Sequence, residues 1–105
     1  MKILFDQGTP VPLRKFLAPH STRTAHEMGW SRLENGDLLA AAEAEGFELL
    51  VTTDQNLRYQ QNLQARRIAI LVLTTTSWPK IQRRVAEIVA AVNSTVPGDY
   101  AELAI

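Results

Sequence analysis

Three aspartates, Asp6, Asp37 and Asp54, are the side chains of this sequence whose type and position could do chemistry. Asp6 ends the apolar run of MKILFDQGTP, and turn-formers follow it at once. Asp54 ends a second such run, LLVTTDQNL, after Thr52 and Thr53. Asp37 opens DLLAAAEAE, a run of helix formers that leads into the second apolar run. Ligands of open α/β sheets bind outside the carboxyl ends of the strands, so acids at these places are expected to gather on one sheet edge. Carboxylates held close together raise one another's pKa values, and a hard divalent cation makes such a cluster tolerable. Mg²⁺ keeps several waters and takes one or two protein carboxylates plus substrate phosphate. Metal-assisted hydrolysis of a phosphodiester is the chemistry that suits that arrangement.

Each acid also has an ordinary structural use. Asp54 can cap a following helix, Asp37 can face the positive end of its own helix, and Asp6 can close a turn through its backbone. The three together are harder to explain this way than any one alone. His20 and His26 are poorly spaced for zinc and read as surface or loop residues. With no cysteine there is no disulfide, thiolate ligand or thiol nucleophile.

The elements that must position the acids follow from hydrophobic patterning. Residues 2–5, 47–52 and 68–73 read as buried strands, and the last, IAILVL, is apolar throughout, as in a parallel sheet covered on both faces. Residues 11–17 have near-helical apolar spacing, residues 21–25 read as a short strand, and residues 26–36 as a loop with one aromatic, Trp30. Helices are expected over 37–45, closed by Gly46, over the amide-rich 55–65, and over 80–92, where Ile81, Val85, Ile88, Val89 and Val92 form one stripe. Residues 93–105 read as a tail that is either disordered or docks on the body or on a second chain. Strands alternating with helices predict a three-layer α/β/α sandwich around a mainly parallel sheet.

At 105 residues, 46% apolar and 21% charged, the chain is expected to form a single domain with a closed core. It shows no export signal, and its apolar runs are far too short for a membrane helix, so a soluble cytoplasmic protein is expected. Formal net charge is +0, which argues against nucleic-acid binding over the whole surface. The charge is unevenly placed, however. Residues 55–86 carry six basic side chains (Arg58, Arg66, Arg67, Lys80, Arg83, Arg84) and no acid. Arg58, Arg66 and Arg67 are candidates for bidentate phosphate contacts, and Tyr59 for base stacking, against the plainer reading of solvated helix faces.

Three stretches together resemble a PIN domain of the short kind found in bacteria. MKILFDQGTP resembles the opening strand with its first metal-binding acid and a nearby hydroxyl, Thr9. NGDLLAAAEAEGFELLVTTDQNL resembles the family's core, an acid opening a helix followed by a strand and T-x-D, and IAILVL resembles the next central strand. The likeness covers most of residues 1–92. It implies a compact PIN-like fold in which Asp6, Asp37 and Asp54 coordinate Mg²⁺ or Mn²⁺, with Thr9, Thr53 and Asn56 as auxiliary groups that orient water or phosphate. The implied activity is a metal-dependent endoribonuclease acting on RNA, as the toxin of a toxin–antitoxin pair with a small antitoxin partner. Larger PIN domains add a Glu ahead of the Asp37 position. Here that region is short, with Glu34 nearest the expected place and Glu27 second.

Other readings compete. A PIN-like module that binds RNA or a protein without cutting fits the missing acid and the neutral charge. ILFDQGT superficially resembles the D-x-D-G-T of haloacid-dehalogenase-type phosphatases but lacks the second Asp, and a receiver domain needs an early acidic pair that DQ does not supply. The apolar stripe of 80–92, Trp78 and the tail are compatible with a homodimer.

Overall fold

The apolar runs become the middle of a parallel sheet. The structure, a computed structural model, describes residues 1–57 and 66–105, with Asn35 by its backbone alone. Its strands are β1 (Lys2–Phe5), β2 (Ser21–Thr24), β3 (Leu49–Thr52), β4 (Ala69–Leu73) and β5 (Tyr100–Leu103). They lie in the order β2-β1-β3-β4-β5, and every neighbouring pair is parallel. A 3-10 helix spans Val11–Leu17, and α1 (Asn35–Ala44), α2 (Trp78–Gln82) and α3 (Val85–Asn93) complete the described elements.

Strand alternation assigns each side chain to one of two cores. Ile3, Phe5, Leu49, Val51, Ala69, Leu71 and Leu73 pack on one face with Leu13 and Leu17 of the 3-10 helix, Ile81 of α2, and Ile88 and Val92 of α3. Leu4, Leu50, Ile70 and Val72 point to the other face and meet Leu38, Leu39 and Ala42 of α1, with Phe47, Leu57 and Ile68. β3 and β4 are buried at every position because both faces are covered. The result is the expected three-layer α/β/α sandwich.

Three elements differ in detail from the sequence reading. The strand expected from residue 47 begins at Leu49, since Gly46 in a left-handed conformation (φ 81°) ends α1 and Phe47 turns into the second core. The single helix expected over 80–92 is two, α2 and α3, with Arg84 at φ −116° and ψ 17° between them. No proline or glycine marks the break, and the stripe survives it, with Ile81, Ile88 and Val92 fully buried. The tail supplies β5, whose Tyr100–Leu103 pair with Ile70–Leu73 of β4, and Leu103 and Ile105 pack on the first core. The helix expected over 55–65 lies for the most part outside the described residues. Among those described, no helix is long and apolar enough to cross a membrane.

Candidate metal and phosphate site

The chain leaves β1 toward β2 on one side and toward β3 on the other, so the sheet changes winding direction between β1 and β3. Crevices at such a switch point, outside the carboxyl ends of the strands, are where doubly wound α/β proteins bind ligands. Asp6 directly follows β1, and Thr52 ends β3. The two are joined: Thr52 Oγ1 donates to Asp6 Oδ2 at 2.9 Å and accepts from the Asp54 backbone N–H at 3.1 Å. A fully buried hydroxyl thus ties the two acidic loops together.

Neighbouring groups fix both loops. The Gln7 N–H donates to Asp6 Oδ1 (2.8 Å), and the Asp6 N–H donates to the Val51 carbonyl (3.0 Å). Thr9 Oγ1 donates to the same carbonyl (2.8 Å) and is itself buried. Gly8 packs closely on the partner loop, since a Cβ there would collide with Thr53 Oγ1. Asp54 Oδ1 accepts from the Asn56 N–H at 3.0 Å, an Asx-type turn that starts the next segment. Thr9, Thr53 and Asn56 therefore stand beside the acids, and for two of them a structural task is visible: Thr9 braces the first loop, and Asn56 is held through its backbone.

Asp37 comes to the sheet from α1. α1 runs straight into β3 through Gly46, so its first turn, which contains Asp37, lies at the carboxyl edge of the sheet. Its side chain is nevertheless exposed. Among the described residues no three Asp, Glu, His or Cys side chains gather closely enough to hold one ion. Glu34 precedes α1 as its N-cap residue, exposed and without a side-chain capping bond. Asp6 and Asp54, on loops that Thr52 ties together, are acids of the kind a hard divalent cation takes. One or two carboxylates with water is a set that Mg²⁺ accepts.

The basic candidates sit elsewhere. Arg66 lies along α1, with Nη1 on Glu43 Oε1 (2.8 Å) and Nη2 on the Gly36 carbonyl (3.4 Å). Burial works against ionisation of Glu43. The hydrogen bonds from Arg66 and from the N–H groups of Arg67 and Ile68 outweigh it and hold the carboxyl below its ordinary range. Arg67 precedes β4, at the amino edge, where it lines a cleft of about 600 Å³ with Met1, Phe47, Glu48 and Val96. Arg58 and Tyr59 lie outside the described residues.

Beside Asp6, Glu27, the second candidate for the additional acid, is paired with Arg14, a residue the sequence reading did not single out. A cleft of about 370 Å³ is lined by Asp6, Thr9, Val11, Arg14, His26 and Glu27, among others. Arg14 forms a two-pronged pair with Glu27, Nη2 to Oε1 at 2.7 Å and Nη1 to Oε2 at 3.2 Å. Glu27 is independently fixed in a capping box: its Oε1 accepts from the Thr24 N–H (2.9 Å) and its own N–H donates to Thr24 Oγ1 (3.0 Å). The Arg14 and Thr24 bonds hold the Glu27 carboxyl below its ordinary range. T-x-x-E at 24–27 was the sequence signal that could have found it. Neither the models of known protein families, nor curated proteins, nor solved structures give a match to this chain.

Proposed function

We propose that the chain is a PIN-like, Mg²⁺- or Mn²⁺-dependent endoribonuclease, acting in the cytoplasm as the toxin of a toxin–antitoxin pair. The observation that carries the reading is the Asp6–Thr52–Asp54 connection at the β1/β3 switch point. One buried hydroxyl binds the Asp6 carboxylate and the Asp54 backbone N–H, so the loops that carry the two acids are tied to each other, as a cation shared between them would need. A divalent ion there would polarise the phosphodiester and activate a water. The chain's own part is to orient: Gln7 N–H and Thr52 Oγ1 fix the rotation of the Asp6 carboxylate, Thr9 braces its loop, and Asn56 N–H fixes Asp54.

A second reading, a PIN-like module that binds RNA or a protein partner without cutting, is favoured by the exposure of Asp37 and by the lack, among the described residues, of three acids grouped closely enough to hold one ion. Incubation of the purified chain with single-stranded RNA and Mn²⁺ discriminates between them. The nuclease reading expects cleavage that stops with EDTA and falls about a hundredfold or more in Asp6→Asn and Asp54→Asn, since several kcal/mol of charge stabilisation depend on the ion. Cleavage indifferent to EDTA or to both substitutions would point to a contaminant. RNA bound but never cut would leave the binding module.

A further inference from the structure

Arg14 is the one arginine or lysine among the described residues lining the cleft beside Asp6. Its fork is engaged by Glu27 in the two-pronged geometry that guanidinium groups also use for phosphate oxygens. Three observations make Glu27 an exchangeable occupant. Both side chains are about one-third exposed (34% and 37%), so separating them uncovers no deeply buried charge. Glu27 Oε1 keeps the Thr24 N–H when the guanidinium leaves, so the carboxylate is not left without a partner. Arg14 Nε is buried with no acceptor among the described residues, so the present pose leaves one donor of the fork unused.

We propose that Arg14 binds a phosphodiester of single-stranded RNA in the cleft beside Asp6, displacing Glu27, which otherwise occupies the guanidinium. The proposal rests on the RNA reading above but not on cleavage. It assigns the phosphate contact of the acid edge to Arg14 on the 3-10 helix, and not to Arg66, which Glu43 holds along α1. Val11 and Thr9 line the same cleft, and the ring of His26, whose Nδ1 meets Ser31 Oγ at 3.2 Å, offers a flat face for an adjacent base.

Affinity measured without metal tests this separately from catalysis. Fluorescence anisotropy of a short labelled single-stranded RNA, titrated with the full chain in EDTA, compares wild type with Arg14→Ala, Arg14→Lys and Glu27→Gln. Expected are a Kd about tenfold weaker in Arg14→Ala, an intermediate loss in Arg14→Lys, and binding about threefold tighter in Glu27→Gln, where the competitor is weakened. Excess inorganic phosphate should displace part of the RNA from wild type and none from Arg14→Ala, separating the phosphate group from the rest of the strand. The proposal is overturned if Arg14→Ala binds as wild type does. It is equally overturned if Glu27→Gln weakens binding as much as Arg14→Ala, which marks the pair as a structural clasp, or if polyglutamate binds as tightly as RNA. Asp6-dependent cleavage with Arg14-independent affinity would sink this inference alone. Arg14-dependent affinity with no cleavage would sink the nuclease reading alone.

Discussion

Thr52 carries more of the candidate site than its size implies. It is fully buried, yet its hydroxyl donates to Asp6 and accepts from the Asp54 N–H, so one atom serves two loops. Thr52→Val keeps the shape and removes both bonds, leaving the Asp54 N–H without that acceptor. A partly buried donor stranded in this way costs about 1 kcal/mol, toward the low end of the range for buried groups. Urea unfolding should show that loss in Thr52→Val and recover most of it in Thr52→Ser. Equal losses in both would mean that the methyl group, not the hydroxyl, matters. The sequence made Asp6 and Asp54 legible because each ends an apolar run, and the end of a run is the end of a strand. It could not make Thr52 legible as their link, since the contact crosses between strands that are far apart in the chain. The Arg14–Glu27 pair was hidden for a similar reason: it needs the 3-10 helix folded against the turn that follows β2.

At the scale of elements, α1 is tied to the start of β4 by one carboxylate. Glu43 accepts from Arg66 Nη1 and from the backbone N–H groups of Arg67 and Ile68. Its pKa in the fold lies below that of the unfolded chain. The contribution is therefore fully present above the ordinary glutamate range and is lost as pH falls through the lowered folded value. Glu43→Gln should cost about 1 kcal/mol at neutral pH. It should also lose less stability than wild type as pH drops below roughly 5, so that the two converge in acid. Denaturation midpoints followed across that range check this, and curves that stay parallel would mean that Glu43 does not titrate with folding. The same contacts explain why the acid-free run 55–86 is a poor guide to a nucleic-acid face. Arg66 is paired with Glu43 and Arg84 with Glu87, acids supplied from outside the run. Charge read along the chain omits partners that only packing brings.

Over the whole molecule, both cores depend on the sheet having no bare apolar edge at β4. The strand is buried at every position, and β5 is what covers its far side. YAEL was hard to read as a strand because it is short, half-polar, and separated from the rest by a Pro-Gly turn. Its pairing is set by β4 and by the turn, in which Gly98 at φ 82° donates its N–H to the Arg67 carbonyl at 2.8 Å. Beyond it, the Ile105 N–H donates to Thr74 Oγ1, and Leu103 and Ile105 pack on the first core. The last residues are thus a structural part of the sandwich. Leu103→Asp puts a carboxylate against that core and should cost about 2 kcal/mol or more. By loosening β5 it should also expose an apolar edge that pairs with other chains. Size-exclusion chromatography with thermal unfolding would then show a lowered midpoint together with soluble aggregates. A variant that stays monodisperse with an unchanged midpoint would mean that the four inner strands carry the fold by themselves. The switch point would survive that result, because β1 and β3 meet far from β5. A loss of RNA cleavage in Leu103→Asp that exceeds its loss of folded protein would instead show that the acidic loops depend on the whole sheet for their spacing.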